Sequence, residues 1–119
     1  MRRSVLPLAL LAFLPDPALA QQEPPQPPEL VRAGEAWSQC LFNGVENAQA
    51  RQSPRTAARA IITQCGELQA RMEAAHRAWI EGVSLSDRDK RQALSAMRRS
   101  LTQIESQLVS AIRQSRADD

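Results

Sequence analysis

The chain has 119 residues, with 15 Lys and Arg against 13 Asp and Glu, 43% hydrophobic residues and only 3% aromatic ones. That length suits one domain, and the near balance of charge argues against non-specific nucleic-acid binding, which draws on a strongly basic face. So few aromatic residues argue against a β-sandwich or barrel, whereas the prevailing Ala, Gln, Arg, Leu, Ser and Glu form a mostly helix-compatible set, so an all-α fold is expected.

Residues 1–20 carry the three parts of an export signal in order. Arg2 and Arg3 supply the positive start, Val5 to Leu14 the apolar run, and Ala18-Leu19-Ala20 the small-x-small cleavage site. Pro15-Asp16-Pro17 breaks any helix before it, because proline removes a donor and clashes with the preceding turn. The run falls well short of the roughly 20 residues that cross a bilayer. A Sec-type signal peptide cleaved between Ala20 and Gln21 is therefore expected, with no transmembrane segment in the mature chain and a periplasmic or secreted location. Cys40 is the first cysteine, too far from the cut to anchor a lipid. Removing 20 residues from 119 leaves 99, and losing Arg2, Arg3 and Asp16 leaves 13 basic and 12 acidic residues.

Residues 21–28, Gln-Gln-Glu-Pro-Pro-Gln-Pro-Pro, form a proline-rich leader that reads as an extended spacer. A helical domain over 29–119 follows, in three expected segments. The first runs from about Glu29 to Arg51, with apolar or small positions at Leu30, Ala33, Trp37, Cys40, Gly44 and Ala48; Asn43-Gly44, a frequent turn dipeptide, is a place where it could break. The second starts at Ser53, a capping residue, with Pro54 at the first helical position, where its missing N–H costs nothing. From there Ala58, Ile61, Cys65, Leu68, Met72, Ala75 and Trp79 alternate in steps of three and four and form one seam. This segment should end near Gly82. The third starts at Ser86, with Asp89 as a capping-box variant, and its seam is Leu94, Met97, Leu101, Ile104 and Leu108, continuing to Ala111 or Ile112. Short connections make successive helices antiparallel neighbours. The expected architecture is thus a small antiparallel three-helix bundle, a hairpin followed by a long third helix. Glu67 with Arg71 and Glu73 with Arg77 are spaced for i,i+4 ion pairs.

Two cysteines in a small exported chain normally pair. Cys40 and Cys65 lie about equally far from a turn near Gln52-Ser53, and equal distances from the turn of a hairpin bring residues side by side. A structural disulfide is expected, closing a loop that stabilises the fold by roughly 3–3.5 kcal/mol. The wide spacing is not the Cys-x-x-Cys of redox-active pairs. Gly66, beside Cys65, reads as a place where the two helices approach closely.

No constellation suggests catalysis. His76 is the one histidine; a zinc site needs three or four His, Cys or carboxylate ligands, and a general base needs a partner that nothing places. No Gly-x-Ser-x-Gly elbow and no glycine-rich phosphate loop occurs. A non-enzymatic protein without metal or cofactor is expected. Two features point to binding instead. Arg88, Lys90, Arg91, Arg98 and Arg99 cluster in the first half of the third segment and are candidates for contact with an anionic envelope surface. The long second and third segments extend beyond what the first can cover, so Trp79, Ile80 and Leu94 are candidates for apolar contact with a protein partner or a second copy.

The stretch Leu85-Ser86-Asp87-Arg88-Asp89 resembles the Leu-Thr-x-x-Gln motif of Spy-type periplasmic stress chaperones, with Asp89 where that motif has Gln. It covers five residues of the chain and occurs once. The resemblance implies a chaperone-like binding protein as the alternative to a dedicated interaction or structural module of the cell envelope.

Overall fold

A computed structural model describes residues 25–118; the signal segment and the first residues of the leader lie outside the described residues. Five helices and no strands are found among the described residues: α1 (Pro28–Glu46), α2 (Pro54–Gln64), α3 (Gly66–Gly82), α4 (Asp87–Thr102) and α5 (Ile104–Ala117).

The start signals act as expected. Pro54 opens α2, and the Ser53 hydroxyl accepts from the Thr56 amide at 3.2 Å. The Ser86 hydroxyl accepts from the Asp89 amide at 3.1 Å at the start of α4. Each bond satisfies one of the donors that a helix N-terminus leaves open. Helix α3 ends at Gly82.

The count of helices differs from three, because two expected segments are each interrupted at one residue. Cys65, with φ −95° and ψ 9°, separates α2 from α3, and Gln103, with φ −94° and ψ −3°, separates α4 from α5. Around Gln103 hydroxyls compete for backbone carbonyls: Thr102 Oγ1 donates to Arg99 O at 2.7 Å and Ser106 Oγ to Gln103 O at 3.0 Å. Such back-bonding bends helices. Cys65 is followed by Gly66, a poor helix former. Helix α1, in contrast, runs unbroken through Asn43-Gly44. It stops at Asn47, short of the expected Arg51, where both the backbone amide (3.0 Å) and the side-chain amide (2.8 Å) of Asn47 donate to Asn43 O.

Cys40 and Cys65 form a disulfide, with Cα atoms 5.9 Å apart and a sequence separation of 25. The close helix approach is not at Gly66, which has open space beside it. It is at Gly44, where a Cβ would sit 2.8 Å from both Cγ1 and Cγ2 of Ile61. Gly44 faces α2 four residues after the disulfide, so the crosslink and the glycine close the same seam.

Helix α1 packs chiefly on α3, and α2 chiefly on α5. Ala57, Ala58, Ile61 and Cys65 meet Leu108, Val109 and Ile112, with Trp37, Leu41, Val45 and Ile104 packed around them. Toward the other end the buried residues thin out to Leu30, Met72, Ile80 and Met97. The salt bridges among the described residues join Glu105 to Arg59 at 3.2 Å and to Arg55 at 4.0 Å, tying α2 to α5. The expected pairs Glu67–Arg71 and Glu73–Arg77 do not close; Glu73 accepts from Gln69 Nε2 at 3.0 Å instead. The fold is elongated, with extents of 48 × 30 × 23 Å and a radius of gyration of 16.3 Å, against about 13 Å for a compact domain of about 100 residues. The structure is thus all-α, with one disulfide and a thin core.

Candidate functional site

The long, thin core leaves apolar side chains at its margins. Phe42 is 59% exposed, Val31 41% and Leu85 38%. Val31 and Phe42 are eleven positions apart, close to three full turns of α1, and so share one stripe. Phe42 borders two shallow depressions. One, between α1 and α5, is lined by Leu41, Phe42, Val45, Ile104, Leu108 and Ala111. The other lies along the outer side of α1 and reaches Leu30, Val31, Gly34, Trp37, Met72 and His76 on α3. Trp37, on this second depression, has a buried indole N–H with no hydrogen-bond partner, a donor whose desolvation nothing within the described residues offsets.

A third cleft of about 460 Å³ separates the end of α3 from α4 and is lined by His76, Trp79, Ile80, Val83, Leu85 and Met97 among others. It exists because α4 packs sparsely: Met97 is its one buried residue. His76 bridges the two helices. Its Nδ1 lies 2.8 Å from Met97 Sδ, and its ring stacks on Trp79 at 5.8 Å with 22° between planes. Burial disfavours the imidazolium and lowers the His76 pKa from 6.5. No carboxylate or hydroxyl partner of His76 appears among its hydrogen bonds, and among the described residues no three His, Cys, Asp or Glu side chains converge in a way that could hold a metal ion.

The candidate residues of the sequence are distributed as follows. Trp79 and Leu94 are half-buried at or near the α3–α4 junction, whereas Ile80 is only 2% exposed and presents no surface to a partner. Ile80 precedes the end of α3 by half a turn and fills the thin end of the core, where α4 covers it. Arg88, Arg91, Arg98 and Arg99 are exposed. Lys90 departs from that cluster: its Nζ donates to Glu81 O at 3.0 Å, capping the C-terminal end of α3. Phe42, the most exposed large apolar residue among those described, was not legible as a surface feature from the seam alone. Its signal is a phase mismatch: it lies two residues, about 200° of helix rotation, from Cys40. A large apolar residue on the polar side of an amphipathic helix is the pattern that marks such a surface.

No helix among the described residues is long and apolar enough to cross a membrane. Compared with protein-family models, curated proteins and solved structures, the chain shows no significant match to any of them.

Proposed function

We propose that the protein is a small exported, non-catalytic interaction module of the cell envelope that works through its apolar margins. The carrying observation is Phe42, the most exposed large apolar side chain among the described residues, standing on one stripe with Val31 and flanked by two depressions, of which the one between α1 and α5 is mainly apolar. Phe42 adjoins Leu41, Val45, Ile104 and Ala111 along the depression between α1 and α5, and exposed apolar side chains that form one contiguous patch mark contact sites more often than isolated ones do. The export reading rests on residues 1–20 and is supported by the Cys40–Cys65 disulfide, since such bonds persist in oxidising compartments. Within this proposal the five helices act as three arms, α1, α2–α3 and α4–α5, the arrangement expected of an antiparallel three-helix bundle, with the proline-rich leader as a spacer.

A second reading, a chaperone-like or stress-related binding protein, draws on the same exposed side chains and on the sparsely packed α3–α4 cleft. The two part in one experiment. A photoreactive residue placed at Phe42 and, as a control, at the exposed Ser110 is activated in living cells. A dedicated module gives one discrete adduct from position 42 and none from position 110. A chaperone gives a ladder of many adducts and slows aggregation of an unfolded client. No adduct from position 42 would overturn both readings.

A further inference from the structure

On α4, Arg88, Arg91, Ser95 and Arg99 recur at steps of three and four residues and line one stripe, joined by Gln92 in a shallow exposed depression. The stripe runs eleven residues, about 16 Å along the helix. It is the face opposite Met97, the residue α4 buries, and opposite Lys90, which is engaged with α3. Asp87 and Asp89 lie about 100° to either side of Arg88, and among the described residues none of these arginines has a carboxylate within 4.0 Å; the salt bridges there use Arg55 and Arg59.

Folding accounts for only part of this arrangement. Arg99, in the last turn of α4, complements the helix dipole, but Arg88 stands in the first turn, where a cation opposes it, and Arg88 and Arg91, three residues apart, repel. Among the described residues the outer face of α4 touches no other element that would demand arginine. With the chain beyond residue 20 almost neutral (13 basic, 12 acidic), the positive charge is a local feature and not a by-product of a basic protein.

We infer that this stripe is a docking surface for the phosphate headgroups of an anionic lipid bilayer. Guanidiniums spread over about 16 Å of one helix cannot all reach a single phosphate. They match an extended plane of phosphates, each headgroup being met separately. The inference rests on the proposed envelope location only for where the protein meets such a surface; the contact is a property of α4 and can be measured apart from it.

The test is co-sedimentation of the processed protein with phosphatidylcholine vesicles, with and without about a third phosphatidylglycerol. Wild type is expected to bind only the phosphatidylglycerol vesicles and to release with added salt. The variant Arg88→Gln/Arg91→Gln/Arg99→Gln should bind about fivefold more weakly per guanidinium, on the order of a hundredfold in total. It should melt close to the wild-type temperature, because exposed charges of this kind change stability little. Lysine at the same three positions should retain vesicle binding. A control with the same loss of charge elsewhere, Arg71→Gln/Arg77→Gln/Arg113→Gln, should bind like wild type. Equal binding to neutral vesicles, equal weakening by the control, or undiminished binding of the first variant would overturn the inference. So would displacement by inorganic phosphate at matched ionic strength, which would assign the stripe to soluble phosphate, or loss in the first variant of an acidic protein partner without any vesicle binding. Vesicle binding by a chain found to be unexported would leave the inference standing and sink the envelope proposal.

Discussion

Gly44 and Gly34 carry the same residue type in the same helix but should respond oppositely to alanine. At Gly44 the new Cβ would meet two Ile61 atoms at 2.8 Å, and overpacking of a filled seam costs about 1–3 kcal/mol. At Gly34 nothing lies within 4 Å, so alanine should gain about 0.5–1 kcal/mol by reducing the freedom of the unfolded chain. Urea denaturation of Gly44→Ala and Gly34→Ala reads both; a destabilised Gly34→Ala would contradict the open surface beside α1. His76 gives a pH dependence with a defined sign. Its folded pKa is below the unfolded value of 6.5, so between the two the unfolded chain binds a proton that the folded chain does not. Stability is fully present above 6.5 and should fall as pH drops through and below it. In His76→Gln that part of the acid loss should vanish, checked by denaturation midpoints at neutral and mildly acidic pH. From sequence, Asn43-Gly44 was a place where α1 could break and Gly66 read as the close approach; in the structure α1 runs unbroken through Gly44, which is the close approach, and the interruption falls at Cys65, beside Gly66. A glycine pattern alone does not say whether the missing side chain serves a turn or a neighbour, because the neighbour comes from a distant part of the chain.

Among the elements, the starts of α2 and α4 were legible because a capping serine acts on amides within its own turn. Ser53→Ala and Ser86→Ala should each cost about 1 kcal/mol, read as a shift of the denaturation midpoint at constant slope; no shift would mean that the capping bonds are not held in solution. The interruptions at Cys65 and Gln103 were not legible. The seams run through them without a change of phase, and the competing Thr102 and Ser106 hydroxyl bonds depend on rotamers. The ion pairs spaced for α3 also failed to form, whereas Glu105 found Arg55 and Arg59 across helices, which no spacing rule within one helix reveals. Exposed pairs of either kind contribute about 0–1 kcal/mol, so the missed pairs change the fold little. The surface follows the same division: a cluster local to one helix, such as the arginines of α4, could be read directly, but the burial of Ile80 and the engagement of Lys90 depend on how α3 meets α4.

At the scale of the whole molecule, the proposed export, the disulfide and the exposed apolar margins belong together. An elongated fold with a radius of gyration of 16.3 Å buries few large side chains, so a covalent crosslink across its central seam is a large part of what holds it. On the loop-entropy model the bond contributes about 3 kcal/mol, against roughly 5–15 kcal/mol for a whole domain. The same thinness leaves Phe42, Val31 and Leu85 outside the core and available to a partner. The proposed role in the envelope depends on the chain reaching an oxidising compartment, where Cys40 and Cys65 act as a staple and not as reactive thiols. The most direct measurement is the intact mass of the protein recovered from its cells without reductant, with alkylation of any free thiol. The expected result is a chain that begins at Gln21, lacks two hydrogens relative to the dithiol form and takes up no alkylating label. A chain that retains residues 1–20 and carries two labels would contradict both the export of the protein and the role assigned to its cysteines.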